Sequence, residues 1–168
     1  MEDAQDRLAA LLAEHEITIN AVPAIENPHL RDGGGVHFQV LVKRSGRRVL
    51  STFYSAGAGI VEQWARTEAP AHIRRKARKP RGSADHREAL AIATKAYRPT
   101  AVDVVGCLLL ESDAIDCSFE EWADALGYDS DSRSAERIYR ICREHALELR
   151  GALGSDAFDR AREMAAEL

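Results

Sequence analysis

Only a few residue pairs in this sequence have types and spacings that suit chemistry, and each is one half of a known site. Cys142 and His145 lie three residues apart, so a helix would place both on one face as two metal ligands. No obvious second pair accompanies them. His86 and Glu88 match half of the zinc-deaminase signature, but the P-C-x-x-C half is absent. The sequence therefore predicts no metal site and no cofactor.

Two short segments resemble ligand-binding loops without completing the pattern. Asp129-Ser130-Asp131 is typical of the start of a calcium loop, which needs an oxygen ligand at its fifth position and glycine at its sixth. Those positions hold Arg133 and Ser134, so helix capping explains the cluster better. Gly57 and Gly59 precede a predicted helix, where a glycine turn could cradle a phosphate. Neither glycine-rich phosphate motif is complete, so this segment is interpreted as a strand-to-helix turn.

Motifs of common enzymes are also missing from the sequence. It contains no G-x-S-x-G elbow, no Walker motif and no H-E-x-x-H. A catalytic triad depends on spatial arrangement and not on order along the chain, so an enzyme stays an alternative. We nevertheless predict that the protein is not an enzyme.

An acidic block with no Lys or Arg before Arg133 is one of two charged segments that stand out. It lies on two predicted helices and the loops between them, with Trp122 and Tyr128 close by. It would present an anionic surface to a basic groove on a partner protein, and a solvated face is the alternative interpretation. The predicted contact residues, besides these two aromatics, are Glu111, Asp113, Asp116, Glu120, Glu121, Asp124, Asp129 and Asp131.

The second charged segment is basic and contains one acid, Asp85, between His72 and Arg87. Pro80 and Gly82 interrupt it, so it is interpreted as an exposed, mobile connector. Its alternative role is contact with nucleic-acid phosphates, although it lacks aromatic residues for base stacking. The predicted contact residues are Arg74, Arg75, Lys76, Arg78, Lys79 and Arg81.

Composition places the chain among globular proteins. Its 168 residues are 45% hydrophobic and 30% charged, and the net charge of −4 argues against a dedicated nucleic-acid binder. The three cysteines form no C-x-x-C pair, and two lie in helical patterns that look buried, which favours reduced thiols. The N-terminus is acidic and amphipathic, unlike a secretion signal. The longest apolar stretch of the whole chain is far shorter than the roughly 20 residues that span a bilayer. We therefore expect a cytoplasmic protein without membrane contact.

An α+β fold is predicted, with a small antiparallel sheet and a helix near the N-terminus and a helical bundle at the C-terminus. Residues 1–70 form the α/β part, 71–84 the basic connector and 85–168 the helical part. The clearest signal is a hairpin over residues 36–55, because two β-rich runs flank Ser45-Gly46. Pro28 and Gly33 mark a loop before it.

Capping motifs and apolar spacing predict the helices of the C-terminal part. Asp85 and Glu88 resemble a capping box, Thr100 can cap an apolar helix meant for the centre of the bundle, and Ser118 and Glu121 form a proper capping box. The helix after Ser118 ends at a glycine, as C-terminal caps often do. The helices after residues 118 and 132 are expected to bury, among others, Trp122, Leu126, Ile138, Tyr139 and Cys142.

Several of these segments together resemble a group of small phage and prophage proteins, mostly of unassigned function. The matching motifs are Thr52-Phe53-Tyr54-Ser55-Ala56-Gly57, P-T-A-V-D-V from Pro99, S-F-E-E-W from Ser118 and G-Y-D-S-D-S-R from Gly127. The resemblance covers roughly residues 36–57 and 99–154. In the relatives the strand end leads almost directly into the P-T-A-x-D-V helix, whereas here about forty residues, 58–98, lie between the two parts.

The resemblance implies a phage or prophage inhibitor of host defence, since small phage proteins without catalytic motifs often have this role. Anti-CRISPR proteins are the prominent class, and they typically bind a Cas protein or effector complex directly. The expected contact is through the acidic block, which would mimic DNA phosphates, or through the basic insertion. The alternative is a nucleic-acid-binding phage accessory protein that uses Arg74 to Arg81.

Overall fold

A computed structural model describes residues 3–24 and 35–168 of the chain. These residues form eight α-helices and a three-stranded antiparallel sheet, which confirms the predicted α+β fold. The predicted loop at Pro28 and Gly33 lies outside the described residues. A 3-10 helix, Glu111–Ile115, lies between the fifth and the sixth α-helix. The elements are α1 (Ala4–Glu14), β1 (Ile17–Pro23), β2 (Val36–Arg44), β3 (Arg47–Ala56), α2 (Ala58–Thr67), α3 (Ala71–Ala77), α4 (Ala84–Ala96), α5 (Ala101–Leu110), α6 (Phe119–Leu126), α7 (Arg133–Leu153) and α8 (Ser155–Ala166).

The sheet has the strand order β1-β2-β3, and its β2–β3 hairpin is the one that the sequence predicts. Ser45 and Gly46 form the turn, and their φ angles are both positive, at 48° and 77°. Positive φ at both central residues is common in two-residue hairpin turns. Alternation along β2 places Phe38, Val40 and Val42 on one face, and all three are buried. The hairpin therefore follows from local sequence alone.

The described residues form two compact units, and each unit combines stretches that are separate along the chain. The sequence, in contrast, suggests parts that follow one another. The first unit is drawn from residues 1–20, 41–51 and 100–168, and the second from 21–40 and 52–99. In the first, α1, α5, α7 and α8 pack on one another around side chains such as Leu8, Val105, Leu149 and Phe158, which are all nearly fully buried. Thr100 starts α5 with the cap that the sequence predicts, and the Asp103 carboxylate completes a capping box.

The second unit contains α2, α3 and α4, which contact one another. Tyr97 follows α4, and its ring lies 6.1 Å from the Phe38 ring and 5.6 Å from the Trp64 ring. The interpretation of residues 71–84 as a mobile connector is wrong for Ala71–Ala77, which form α3. Ile73 and Ala77 are four residues apart and buried, so this short stretch has an apolar stripe despite its many cations.

Three further predictions need correction. Ser83, not Asp85, caps α4: the Ser83 hydroxyl accepts a 3.2 Å hydrogen bond from the His86 backbone N–H, and Asp85 lies in the first turn. The predicted central helix, α5, is not covered on all sides, since Cys107 is exposed and Leu110 retains 59% of its accessible surface. Leu126 and Ile138 were expected in the core but are exposed. Within the described ranges, no helix is both long and apolar enough to cross a bilayer.

Candidate functional site

The eight predicted acidic residues lie on consecutive elements of the first unit, and we call them the acidic surface. Glu111 and Asp113 lie on the 3-10 helix and Asp116 follows it, while Glu120, Glu121 and Asp124 lie on α6. Asp129 and Asp131 lie in the loop between α6 and α7, where the Asp129 carboxylate accepts a 3.0 Å hydrogen bond from the Asp131 backbone N–H. The loop aspartates therefore have a local role in shaping the turn before α7.

Both ends of α6 are fixed by residues that the sequence identifies. The Glu121 carboxylate accepts a 2.9 Å hydrogen bond from the Ser118 N–H, and the Ser118 hydroxyl accepts one of 3.3 Å from the Glu121 N–H. The bond from the Ser118 backbone holds the pKa of Glu121 below its usual value. Gly127 ends the helix with a φ of 75°, which glycine adopts without strain. Capping therefore sets which residues of this stretch share a face.

Aromatic side chains hold α6 against α7. The Trp122 ring lies 5.6 Å from the Tyr139 ring and stacks on Tyr128 at 5.2 Å with an interplanar angle of 3°. Trp122 is only 5% exposed and belongs to a core cluster with Ala114, Ala123 and Cys142. Burial thus leaves Trp122 little surface for the predicted contact, whereas Tyr128 is 44% exposed.

A groove of about 540 Å³ opens beside this cluster. Four members of the acidic surface line it: Glu111, Asp113, Asp116 and Glu121. The remaining lining residues are apolar or thiol-bearing: Cys107, Leu110, Cys117, Trp122, Ala125 and Leu126. We call this feature the acidic groove. Sequence reasoning predicts its carboxylates, but it misses the leucines because it assigns both to the core.

A second concavity, of about 410 Å³, shares Glu121 with the acidic groove. Its other lining residues are Glu120, Asp124, Tyr128 and Ser130. Six of the eight predicted carboxylates therefore line two concavities that have a residue in common. Asp129 and Asp131 are not among the lining residues of either.

Arg162 of α8 modifies the charge of the acidic groove. Its guanidinium lies 3.0 Å from an Asp113 oxygen and 2.6 Å from an Asp116 oxygen. Burial alone would lower the pKa of Arg162, but the hydrogen bonds to Asp116 and Asp113 outweigh burial and raise it. Sequence reasoning misses Arg162, because no local signal links it to carboxylates more than forty residues away.

Glu111, one of the residues that line the acidic groove, lies near two thiols. Its carboxylate oxygens are 3.9 Å from the Cys107 sulfur and 3.8 Å from the Cys142 sulfur. Burial and the Glu111 charge raise the pKa of Cys142 to about 11, and the same causes raise the pKa of Cys107. Because only a thiolate is a strong nucleophile, these cysteines are poorly suited to covalent chemistry at neutral pH. Among the described residues, no group of three or more His, Cys, Asp or Glu side chains could hold a metal ion.

The predicted basic residues lie in the second unit, on α3 and the turn after it. Arg74, Arg75, Arg78 and Lys79 line a concavity of about 470 Å³, which we call the basic concavity. The other two cations are engaged elsewhere, since Lys76 lies 2.8 Å from a Glu88 oxygen and Arg81 lies 3.1 Å from a Glu62 oxygen.

Glu62 is a further polar centre of this unit that sequence reasoning misses. The same oxygen lies 3.1 Å from Arg66 and 3.5 Å from the buried ring of His86. Burial raises the pKa of Glu62, but the charges of Arg81 and Arg66 outweigh it and leave the pKa below its usual value. These contacts join α2, α4 and the turn before α4, so they explain part of how the unit is held together.

The predicted charged residues therefore line an acidic groove and a basic concavity. Comparison with known proteins adds no assignment, since no family model, no curated protein and no solved structure matches this chain.

Proposed function

We propose that this protein is a phage- or prophage-encoded inhibitor of host defence that binds a Cas protein or effector complex in the host cytoplasm. The observation that carries the proposal is the acidic surface, six carboxylates of which line two concavities that share Glu121. The resemblance to phage and prophage proteins supports the biological context, and anti-CRISPR activity is the form of inhibition that we expect.

Charge complementarity explains why an acidic surface suits this target. Cas effectors hold their guide–target duplex in a positively charged channel that contacts the nucleic-acid backbone. Carboxylates spaced along α6 and the preceding 3-10 helix would compete for the same cations. Opposite charges also speed encounter between proteins, and this effect weakens as salt screens them. We therefore expect binding that is fast and sensitive to ionic strength.

Capture by purified Cas effector complexes of several types tests the proposal. The variant E120K/D124K/D131K reverses three exposed carboxylates of the acidic surface. The matched control, D156K/D159K/E163K, makes the same charge change on exposed positions of α8. We expect the wild-type protein and the control to bind one complex and block its target-DNA binding, and the acidic-surface variant to bind at least tenfold more weakly. Capture by no type, or equal loss in both variants, would count against the proposal.

A second candidate function is nucleic-acid binding through the basic concavity. Within the part of the chain that the structure describes, the side chains of Arg75 and Lys79 have no ion-pair partner, so both are available for phosphate contact. Electrophoretic retardation of bare DNA and RNA at increasing salt tests this function. R75E/K79E should abolish retardation, while R47E/R48E, on exposed positions of β3, should not. Equal retardation by all three proteins would argue against this function.

A further inference from the structure

Two exposed leucines distinguish the acidic groove from a purely charged surface. Leu110 ends α5 and Leu126 ends α6, and each retains 59% of its accessible surface. Single exposed leucines are ordinary on protein surfaces. Here, however, both line one groove, together with Trp122 and Ala125. The groove thus offers an apolar lining against which a partner could bury side chains.

Carboxylates line the same groove as these apolar side chains. Among the described residues that line the groove, four are acidic and none is Lys or Arg. Arg162 pairs with Asp113 and Asp116 from outside that lining set and offsets only one of their two negative charges, to which Glu111 and Glu121 add two more. A segment that fits must therefore combine apolar side chains with flanking Lys or Arg.

The groove walls indicate the conformation of that segment. Its lining residues come from α5, the 3-10 helix and α6 and the residues between them, and no strand contributes to it. An extended segment would find no strand edge with which to pair its backbone. A helix has its own backbone bonds satisfied and can present apolar anchors at i, i+3, i+4 and i+7 to such a groove. The groove therefore suits a helix better than a strand.

We infer that the acidic groove binds an amphipathic basic helix of the partner protein, with apolar anchors on Leu110 and Leu126 and with Lys or Arg beside Glu111 and Glu121. This inference rests on the proposed protein-binding function and names the chemistry of the partner segment. It differs from charge mimicry alone because it requires the apolar lining residues as well as the carboxylates.

A synthetic peptide serves as the probe. It has eighteen residues of Leu, Ala and Lys, with Leu on one helical face and Lys on the other, and carries fluorescein for anisotropy titration against the full chain. A scrambled peptide of the same composition is the first control. We expect the patterned peptide to bind at least tenfold more tightly than the scrambled one, and to weaken between 50 and 500 mM NaCl.

Variants of the protein separate the apolar from the charged contribution. L110Q/L126Q should weaken binding of the patterned peptide at least tenfold, whereas I138Q/I141Q, at two other exposed apolar positions in α7, should leave it unchanged. Equal binding of the two peptides, no binding of either, or full affinity of L110Q/L126Q would overturn the inference.

Capture of Cas complexes keeps this inference distinguishable from the proposed function. Loss of capture in both E120K/D124K/D131K and L110Q/L126Q supports the helix-binding groove. Loss in the charge variant alone overturns the groove inference and leaves the proposed function standing.

Discussion

The hydroxyl of Tyr139, in α7, donates a 2.6 Å hydrogen bond to the backbone carbonyl oxygen of Cys117, one residue before the cap of α6. The same ring lies 5.7 Å from Phe119 and 5.6 Å from Trp122. Tyr139 therefore fixes the start of the helix that supplies four of the ten lining residues of the acidic groove, by a bond between residues 22 apart in sequence.

Replacing Tyr139 by Phe removes this bond and keeps the ring. We expect the free energy of unfolding to fall by about 1 kcal/mol, since a partly buried hydrogen bond contributes about that much. Urea denaturation followed by circular dichroism measures it. Y128F is the control, because Tyr128 is exposed and stacks on Trp122 through its ring alone. An equal loss in both variants would contradict the assigned role of the Tyr139 hydroxyl.

The lowered pKa of Glu121 predicts how the free energy of unfolding changes at acid pH. Its pKa is lowered in the folded protein by the bond from the Ser118 backbone. Its contribution is therefore fully present above the unfolded pKa of about 4.3 and is lost as the pH falls through the lower folded pKa. E121Q keeps a side-chain oxygen for the cap but does not titrate. We expect urea denaturation between about pH 2.5 and 7 to show a shallower acid-side loss in E121Q than in the wild type. Parallel curves would show that the cap does not depend on the charge.

Gly106 predicts a stabilising substitution inside α5. Alanine favours a helix interior over glycine by about 1 kcal/mol. A Cβ at Gly106 would lie 3.0 Å from the Leu168 Cδ1, the far end of an exposed side chain that can move aside. We expect G106A to raise the free energy of unfolding by about 0.5 kcal/mol. G151A, where an added Cβ meets no described atom within 4 Å, should gain more. A loss in G106A would mean that Leu168 is held in place.

The charge of Glu111 should slow the reaction of the neighbouring Cys107 thiol with alkylating reagents. Partial burial of the sulfur and the Glu111 charge raise the pKa of Cys107, while the residue as a whole is exposed and so accessible to reagents. We expect E111Q to speed alkylation of Cys107 by iodoacetamide at pH 8 by about threefold to tenfold, because one pKa unit changes the thiolate fraction about tenfold. Peptide mass spectrometry against time measures it. Cys117 is the internal control, since burial, Glu121, Asp113 and Asp116 raise its pKa without Glu111. Equal acceleration at both cysteines would point to loosened structure instead.

Removing the charge of Arg162 should strengthen peptide binding, whereas the groove variants should weaken it. R162Q frees the carboxylates of Asp113 and Asp116. We expect the patterned basic peptide to bind about twofold to threefold more tightly at low salt, as one unit charge in partly screened surroundings warrants. R160Q, at an exposed position of the same helix, should have a smaller effect. Weaker binding by R162Q would show that Arg162 shapes the groove and does not merely neutralise it.

Much of the fold is predictable because its signals are local. The Ser45-Gly46 turn, the caps at Thr100 and Ser118 and the C-terminal Gly127 each depend on four or fewer neighbouring residues. Alternation in β2 and apolar spacing in α1 are also local patterns, and the side chains Phe38 and Leu8 on their apolar faces are buried. The failures are also instructive: the basic run around α3 hides Ile73 and Ala77, because their stripe is too short to outweigh the surrounding charge.

Local patterns in the sequence were enough to predict the α+β class, the hairpin turn and the charged residues, although they missed α3. The exposure of Leu110 and Leu126 and the contact of Arg162 with Asp113 and Asp116 become visible only in the packed fold. The physical reason is that capping and alternation act between neighbours, whereas exposure and ion pairing depend on which helix faces meet. That choice is set by packing between segments tens of residues apart, for which a single sequence carries no local signal.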